Sequence, residues 1–320
     1  MSSDSLIPTF SYQAAADVSG ELRLFIKRQM HVESREAPYY HTAQKANIPT
    51  PAYYGHLNGS NGEEILFLEF LPECGVDEQK EAEICDLVSL MACINTAPLR
   101  CTEFKVPEPI TQEEQVGEMW QYAEQYLIPK LQEIWGSATL GEVGTENQVL
   151  CRQYPDGPRA LKAYAFALTQ QAASIPKDAL IQPDAGAHQM GWRMTSEGKR
   201  LVVFDLDWKI GRRFYDIGYI LHNYLDKAIL SKAEIATHYL KEYTRWGGEE
   251  TALQDFLSMT QGFADEDKLW SCPWLWDMAR KQLTGNDPSF SANGNNFPAW
   301  LHQYLRSLLE SAKQQEMACD

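Results

Sequence analysis

The chain has 320 residues, of which 44% are hydrophobic and 22% are charged, so it is long enough to bury the core of one large domain or of two lobes. Its formal net charge of −16 argues against nucleic acid and anionic membranes as partners, because both attract basic surfaces. The seven cysteines lack Cys-x-x-Cys spacing, and the chain has neither a signal-peptide pattern nor a long apolar run, so we expect no disulfide framework, no zinc site, no transmembrane helix and a cytoplasmic location.

The first predicted element is a β-hairpin over residues 10 to 26. The segment FSYQA alternates between apolar and polar residues, a Val-Ser-Gly turn follows, and ELRLFI alternates again. Lys27 ends the second strand. Its charge fits either a solvated strand face or a ligand site.

A helix from about Ser34 to Ala46 is predicted next. Ser34 can serve as its N-cap, and Glu36 lies in the first turn, where the helix dipole favours an acid. After a Pro-Thr-Pro segment, the residues EILFLEF from Glu64 to Phe70 read as a strand. The residues LPECG that follow are typical of a hinge.

Helical patterns dominate residues 78 to 174. Apolar residues recur at the helical period in three stretches, which predict helices at Glu78–Asn95, Gln112–Trp135 and Arg159–Ser174. Pro129 lies inside the second stretch and is expected to kink that helix.

The stretch from Leu180 to Leu221 carries the residues with the clearest chemistry. Two short apolar runs lead into Asp184 and Asp205, with a Ser-Glu-Gly turn between them, and both runs are typical of short strands. Two carboxylates on neighbouring strands suit metal-assisted transfer to a hydroxyl, in which one accepts the hydroxyl proton and the other holds Mg²⁺. The alternative is that both are ordinary strand-end aspartates.

The chain after Asp216 is predicted to be mainly helical. Ser231 and Glu234 have the spacing of a capping box at the start of one helix. The predicted helices are Ile217–Asp226, Ser231–Trp246, Thr251–Phe263, Trp270–Leu283 and Trp300–Gln315.

These motifs, in this order, resemble the aminoglycoside phosphotransferase and choline kinase family. The family's catalytic loop reads His-Gly-Asp, four residues and Asn, and an apolar strand followed by Asp forms its metal-binding motif. Asp184 falls on the catalytic aspartate and Asp205 on the metal aspartate. Asp205-Leu206-Asp207 stands where choline kinases have Asp-Phe-Glu, and the segment 214–218 matches a trailing motif.

The chain departs from the family pattern at several positions. Gln182 and Pro183 replace His-Gly, and Gln189 stands in place of Asn. A glutamine oxygen can coordinate a cation, but the longer side chain places that oxygen differently. About ten residues precede Phe10 and contain no Gly-x-Gly-x-x-Gly pattern, so the family's phosphate-binding loop is reduced or its first strand is missing.

The resemblance implies a two-lobed, protein-kinase-like α+β fold, with a small antiparallel-sheet lobe and a larger, mainly helical lobe. Residues 1–72 would form the sheet lobe, 73–77 the hinge and 78–320 the helical lobe.

The resemblance also implies an ATP site in the sheet lobe. Lys27 would reach the α- and β-phosphates and pair with Glu36, with Glu33 as the alternative partner. Adenine would be held by backbone groups of Glu69, Phe70 and Leu71.

In the helical lobe, the resemblance implies Asp184 as general base and Asp205 as Mg²⁺ ligand. Gln189 would be the second ligand, with His188 as a substitute for it. Asp207 would be a ligand or would bind a cationic substrate, and it is otherwise a strand-end acid.

Further residues are assigned supporting roles. Asp216 opens a helix and is expected to be structural, accepting hydrogen bonds from backbone amides. Trp270, Trp274 and Asp277 are candidate substrate contacts, since tryptophan faces suit ammonium groups or sugar rings. Core packing is the alternative for the tryptophans.

The function implied is an ATP- and Mg²⁺-dependent phosphotransferase acting on a hydroxyl of a small molecule, cationic or sugar-like. The altered catalytic loop favours one alternative, a degenerate kinase-like protein that binds a ligand or partner without catalysis. A transferase with a different donor is a further alternative, because fold does not fix function.

Overall fold

The structure is a computed structural model that describes residues 9–13, 19–29, 36–59, 63–106, 111–140, 144–182, 189–285 and 294–319. The chain divides into two compact units, each built from two separate segments. The first unit comprises Met1–Pro107 and Pro176–Thr260, and the second comprises Glu108–Ile175 and Gln261–Asp320. No helix among these described residues is long and apolar enough to cross a membrane.

The first unit begins with an antiparallel sheet. Its described strands are β1 (Thr9–Gln13), β2 (Ser19–Gln29), β3 (Tyr53–Asn58) and β4 (Glu64–Glu69), in the order β1-β2-β4-β3. The hairpin predicted from the alternating residues is confirmed as β1 and β2. Along β4 every second side chain is buried, which fixes the register that places Lys27 opposite Leu66.

Helix α1 (Ala37–Lys45) follows β2 and is anchored to the sheet by Glu64. The buried Glu64 carboxylate accepts hydrogen bonds from the backbone N–H groups of Glu36 (2.9 Å) and Ala37 (3.4 Å). An acid at this end satisfies amides that have no partner within the helix. The predicted N-cap, Ser34, lies outside the described residues.

A second sheet joins the predicted hinge to the central stretch. It contains β5 (Glu73–Cys74), β7 (Met190–Thr195) and β8 (Gly198–Val203), in the order β5-β7-β8. A Cβ atom on Gly191 would lie 2.6 Å from Leu71 Cδ1 and 3.1 Å from the backbone oxygen of Glu73. Only glycine therefore lets the hinge lie this close to β7.

The two strands predicted to lead into the aspartates belong to different sheets. β6 (Ala179–Ile181) pairs with β9 (Lys209–Gly211), whereas β8 pairs with β7 through the turn at Ser196 and Glu197. The expectation of neighbouring strands is therefore wrong. β6 pairs instead with β9, the strand that follows Asp205, whereas β8 precedes Asp205 and pairs with β7 in a hairpin.

Helices complete the first unit. They are α2 (Glu81–Asn95), α3 (Ala97–Arg100), α8 (Tyr215–Tyr219) and α9 (Lys232–Arg245). The predicted capping box at the start of α9 is confirmed, because Ser231 and Glu234 each bond to the other's backbone N–H. α2 packs on α9, and the hydroxyl of Tyr239 on α9 donates to Asn95 Oδ1 on α2.

The second unit is helical in its described residues. Its helices include α4 (Gln112–Tyr122), α5 (Ile128–Leu140), α6 (Thr145–Gln153), α7 (Gly157–Ala173) and α11 (Phe297–Cys319). A π-helical turn at Ala123–Leu127 separates α4 from α5, just before Pro129. Proline removes one helical hydrogen bond, so the predicted kink takes the form of this wider turn.

The helices predicted at Thr251–Phe263 and Trp270–Leu283 are a single helix, α10 (Leu253–Thr284), with Pro273 inside it. The prediction of two helices is wrong because the residues ADEDKL between them form helix readily. The fully buried Trp276 and Leu269 of α10 join Leu305 of α11 in the core of the second unit.

Candidate active site

Lys27, near the end of β2, and Glu36 form a partly buried ion pair. Lys27 Nζ donates to Glu36 Oε1 at 2.5 Å, and Gln29 Nε2 donates to the same oxygen at 2.5 Å. Glu36 is 4% exposed. The pair therefore fixes the position of the lysine ammonium group between the sheet and α1.

The same ammonium group also bonds to Asp205, which follows β8. Lys27 Nζ donates to Asp205 Oδ1, and the Asp205 side chain is 51% exposed. Lys27, Glu36 and Asp205, which were all predicted to be site residues, therefore meet within the first unit. Lys27 and Asp205 are 178 positions apart in the chain. The Lys27 ammonium group is thus shared between the buried Glu36 carboxylate and the exposed Asp205 carboxylate.

Burial and charge shift the pKa values of Glu36 and Lys27 in opposite directions. Burial raises the pKa of Glu36 to about 7, and the Lys27 charge only partly offsets it. For Lys27, burial acts to lower the pKa, but the Glu36 charge and the hydrogen bond to Asp205 outweigh it, so the pKa lies above 10.5. Lys27 is therefore a cation throughout the physiological range.

Asp205 occupies an unusual backbone conformation. Its φ of 60° lies in the left-handed region, which costs most residues about 1–2 kcal/mol but which Asp tolerates better than others. Gln182 Nε2 donates to the Asp205 backbone oxygen at 2.9 Å, and the Phe204 N–H donates to the backbone oxygen of Gln189 at 2.9 Å. These bonds hold the turn that directs the carboxylate toward Lys27.

Gln182 and Gln189 are bonded to each other. Gln182 Nε2 donates to Gln189 Oε1 at 3.1 Å, and the two residues are 0% and 3% exposed. Gln189, a predicted Mg²⁺ ligand, thus directs its oxygen toward another side chain. Asp184, Pro183 and His188 lie outside the described residues.

Asp216 is buried at the start of α8 and is a hydrogen-bond acceptor. It accepts from the backbone N–H groups of Gln182 (3.2 Å) and Ile217 (2.8 Å) and from Asn95 Nδ2 (3.0 Å). Burial raises its pKa to about 6, and these bonds oppose that shift. The backbone entering the 183–188 segment is thereby tied to α8.

Sequence reasoning missed the two side chains that support Asp216. Asn95 Nδ2 also donates to the Leu180 backbone oxygen at 2.9 Å, and Tyr239 OH donates to Asn95 Oδ1 at 2.6 Å. The available signal for Asn95 was an asparagine directly after the apolar run LMACI at the end of α2. No sequence signal distinguishes Tyr239 from the other aromatic residues of α9.

A cavity of about 230 Å³ lies beside the predicted hinge. The Glu69 carboxylate accepts from the Ala52 N–H at 2.9 Å and pairs with Arg193 at 2.9 Å, so its side chain is engaged at the wall. The lining brings together all three residues predicted to hold adenine, and it comprises Phe25, Pro51, Leu68, Glu69, Phe70, Leu71, Cys74 and Phe204. A flat aromatic ring suits this mostly apolar lining.

The candidate substrate contacts belong to both units. Asp207 is exposed in the first unit. In the second unit, Trp274 is 50% exposed with its ring against Phe297, and Asp277 accepts from Lys130 at 2.9 Å. Trp270 packs on Tyr122.

The described residues fit a Mg²⁺ ion in part. Among them no group of three or more His, Cys, Asp or Glu side chains is placed to hold a metal. Mg²⁺ commonly takes one or two carboxylates and completes its shell with water and phosphate oxygens. The exposed Asp205 carboxylate meets that requirement, whereas the engaged Gln189 oxygen does not.

Comparison with known proteins finds similarity in structure only. No family model and no curated protein matches the sequence. An aminoglycoside phosphotransferase from Alicyclobacillus acidocaldarius is 12% identical with a TM-score of 0.56, covering 96% of this chain and 90% of its own. APH(2")-IIia, in complex with GDP and kanamycin, is 13% identical with a TM-score of 0.53, covering 98% and 95%.

A spectinomycin phosphotransferase in complex with ADP and spectinomycin is 12% identical with a TM-score of 0.51, covering 98% of this chain and 92% of its own. At this level of identity the likenesses show the fold alone. The chain has the two-lobed, protein-kinase-like α+β fold of these proteins, as the sequence predicted. The lobe boundaries at residues 72, 73–77 and 78 stay predictions.

Proposed function

We propose that this chain, which has the fold of aminoglycoside phosphotransferases, is an ATP- and Mg²⁺-dependent phosphotransferase acting on a hydroxyl of a small molecule. The observation that carries the proposal is the convergence of Glu36 and Asp205 on the Lys27 ammonium group. A cation held by one buried and one exposed carboxylate is suited to exchange the exposed partner for phosphate oxygens.

Nucleotide binding would use the first unit. Adenine would occupy the cavity beside Phe70 and Leu71, where backbone groups bind its edge. Lys27 would bind the α- and β-phosphates while Glu36 keeps its ammonium group in place. The GDP and ADP complexes of the two similar proteins support a nucleotide in this fold.

The catalytic chemistry would belong to the two aspartates of the central stretch. Asp184 would orient the acceptor hydroxyl and take its proton as the phosphoryl group transfers. Asp205 would hold Mg²⁺, which when bound supplies charge neutralisation at the phosphates. Asp216 would be structural, keeping the backbone at Gln182 in position ahead of the catalytic loop.

The acceptor would be a small molecule in the cytoplasm, where ATP is available. Kanamycin and spectinomycin, bound in similar structures, support a compact polyhydroxylated or cationic acceptor. Asp207, Trp270 and Trp274 are the proposed contacts. Asp277 would contribute only where its bond to Lys130 is exchanged for a substrate ammonium group.

Replacing the proposed general base tests the assignment. Asp184→Asn is expected to lower kcat about 10²- to 10⁴-fold, because the amide cannot take the hydroxyl proton. The assay is ATP-dependent phosphorylation across a panel of amino-alcohols, aminoglycosides and sugars. Glu197→Gln, in the exposed β7–β8 turn, is the control and should retain full activity. Full activity in Asp184→Asn would remove Asp184 from the mechanism.

Binding without catalysis is the second candidate, and the engagement of Gln189 by Gln182 favours it. Thermal-shift measurements with Mg·ATP discriminate between the two functions. Saturable, metal-dependent stabilisation together with turnover supports the phosphotransferase. Nucleotide binding with no turnover for any acceptor supports the binding protein.

A further inference from the structure

Gln182 and Gln189 both differ from the residues of the resembled family's catalytic loop, and they are bonded to each other. We propose that Gln182 and Gln189 form a matched amide pair that positions Asp205, and that Gln189 is not a metal ligand. The part concerning the metal rests on the proposed function. The part concerning the pair rests on the geometry of the first unit alone.

The hydrogen bonds form a closed circuit. Gln182 Nε2 donates to the backbone oxygen of Asp205 (2.9 Å) and to Gln189 Oε1 (3.1 Å), while the Gln189 backbone oxygen accepts from the N–H of Phe204 (2.9 Å). Phe204 and Asp205 are consecutive, so the circuit encloses the turn. A residue with φ of 60° lies at its centre and needs such restraint to persist.

The orientation of the Gln182 amide follows from its partners. The Asp205 backbone oxygen can only accept, so the nitrogen of Gln182 must face it. The same nitrogen donates its second N–H to Gln189, so the acceptor on Gln189 must be its side-chain oxygen. Rotating the amide would place Gln182 Oε1 against the Asp205 backbone oxygen and Gln189 Oε1, even though Gln182 Oε1 has no hydrogen-bond partner among the described residues in its present position.

An amide is the side chain that this arrangement requires. One amide nitrogen carries two N–H groups, whereas an imidazole nitrogen carries at most one. Histidine at position 182 could therefore donate to Asp205 or to Gln189 through a given nitrogen, but not to both. Gln182 therefore donates to both acceptors through one nitrogen, and a histidine at this position would leave one of the two without this donor.

The circuit also excludes Gln189 from the metal. Its side chain is 3% exposed, and its oxygen already accepts a hydrogen bond from Gln182, so only the second lone pair of that oxygen is left for a cation. Mg²⁺ would have to give up water ligands to reach this buried oxygen, and it dehydrates reluctantly. Asp205 remains as the exposed carboxylate available to the cation.

The test is a double-mutant cycle with Gln182→Leu, Gln189→Leu and the double variant of the full chain. Mn²⁺ binding in the presence of ADP is followed by electron paramagnetic resonance. Removing a group that orients a ligand commonly lowers metal affinity 10- to 100-fold, so each single variant should lose about tenfold, and the double variant no more than either. Gln79→Leu is the matched control, since Gln79 Nε2 also donates to a backbone oxygen, that of Lys227.

If Gln189 is a metal ligand, the Mn²⁺ affinities of the variants are expected to differ from one another. If Gln189 held the metal, Gln189→Leu would lose affinity while Gln182→Leu would not, and Gln189→Glu would tighten Mn²⁺ binding. Either result, or unchanged binding in both single variants, overturns the proposal. Equal and non-additive losses support it.

Urea unfolding of the same four proteins without ligand separates this proposal from the proposed function. Non-additive changes in the unfolding midpoint would support the pair even if the wild-type protein bound no Mn·ADP, a result that would contradict only the phosphotransferase. Additive changes would overturn the pair and leave the phosphotransferase standing. Gln182→Glu, which keeps the shape but removes both donors, replaces Gln182→Leu if the latter does not fold.

Discussion

Lys27 is shared between two carboxylates that differ in their exposure to water. Glu36 is 4% exposed, whereas the Asp205 side chain is 51% exposed. A buried ion pair is costly to break, but an exposed one contributes little and exchanges readily. The lysine is thus held by Glu36 and free to change its other partner, which is the property that a phosphate-binding cation needs.

The raised pKa of Glu36 predicts a dependence of stability on pH. Its pKa is about 7 in the folded protein against 4.5 for the unfolded chain, so between these values the folded state binds more protons. The free energy of unfolding should therefore fall as the pH rises from 4.5 to 7, by an amount on the order of 3 kcal/mol from this group.

Urea unfolding at several pH values measures this effect as the difference between wild type and Glu36→Gln. The free energy of unfolding of the wild type minus that of Glu36→Gln should decrease steadily as the pH rises from 4.5 to 7. Glu249→Gln, whose carboxylate is 76% exposed, should keep the wild-type slope. If the free energies of unfolding of wild type and Glu36→Gln changed in parallel with pH, the raised pKa of Glu36 would be contradicted.

At the scale of elements, single polar side chains join the parts that carry the site. Glu64 of β4 binds the backbone amides at the start of α1, whose own first turn has no acid. Asn95 of α2 links Leu180 of β6 to Asp216 at the start of α8. The positions of the ion pair and of the backbone at Gln182 therefore depend on contacts between elements.

Removing the hydroxyl that supports Asn95 should weaken this junction. Tyr239→Phe leaves the buried Asn95 oxygen without its donor, which is expected to lower the free energy of unfolding by about 1–3 kcal/mol. Urea unfolding gives the value. Tyr122→Phe, whose ring is 55% exposed, should change it by less than about 0.5 kcal/mol. Equal effects in both variants would show that the hydroxyl of Tyr239 does not support the junction.

Local signals in the sequence predicted the elements and the hairpin of β1 and β2, whereas the pairing of strands that are distant in the chain escaped prediction. The capping box at Ser231 and the alternation along β4 act within a few residues, so both could be identified directly. The pairing of β6 with β9 and the support of Asp216 by Asn95 join distant segments, and no local pattern encodes them.

The candidate site likewise contains residues that could be predicted from the sequence and residues whose contacts could not. The order of Lys27, Glu36 and Asp205 along the chain was sufficient to group them, because the resemblance to a family supplied the geometry. The bond between Gln182 and Gln189 has no counterpart in that resemblance, so both appeared only as departures. The role of Asp184 stays a prediction, since that residue lies outside the described part of the chain.

The whole molecule has two units with separate hydrophobic cores, and the candidate nucleotide residues belong to only one of them. The other contains Leu305, which is fully buried on α11. Leu305→Ala is expected to lower the free energy of unfolding by about 2–5 kcal/mol, because it removes buried surface and leaves a cavity.

Chemical denaturation followed by tryptophan fluorescence checks this prediction. Leu283→Ala is the matched control, since that side chain is 44% exposed on α10 and should lose less than about 1 kcal/mol. A comparable loss in the two variants would contradict the core assigned to the second unit.

The separation of 178 positions between Lys27 and Asp205 bears on how the protein is made. A ribosome that adds roughly 5–20 residues per second needs roughly 9 to 36 seconds to advance from one residue to the other. During that interval the lysine on the nascent chain lacks its later carboxylate partner, although strands β1 to β4 of its own sheet are complete once Glu69 has been added. The sheet that carries Lys27 can therefore form before the bond between Lys27 and Asp205 does.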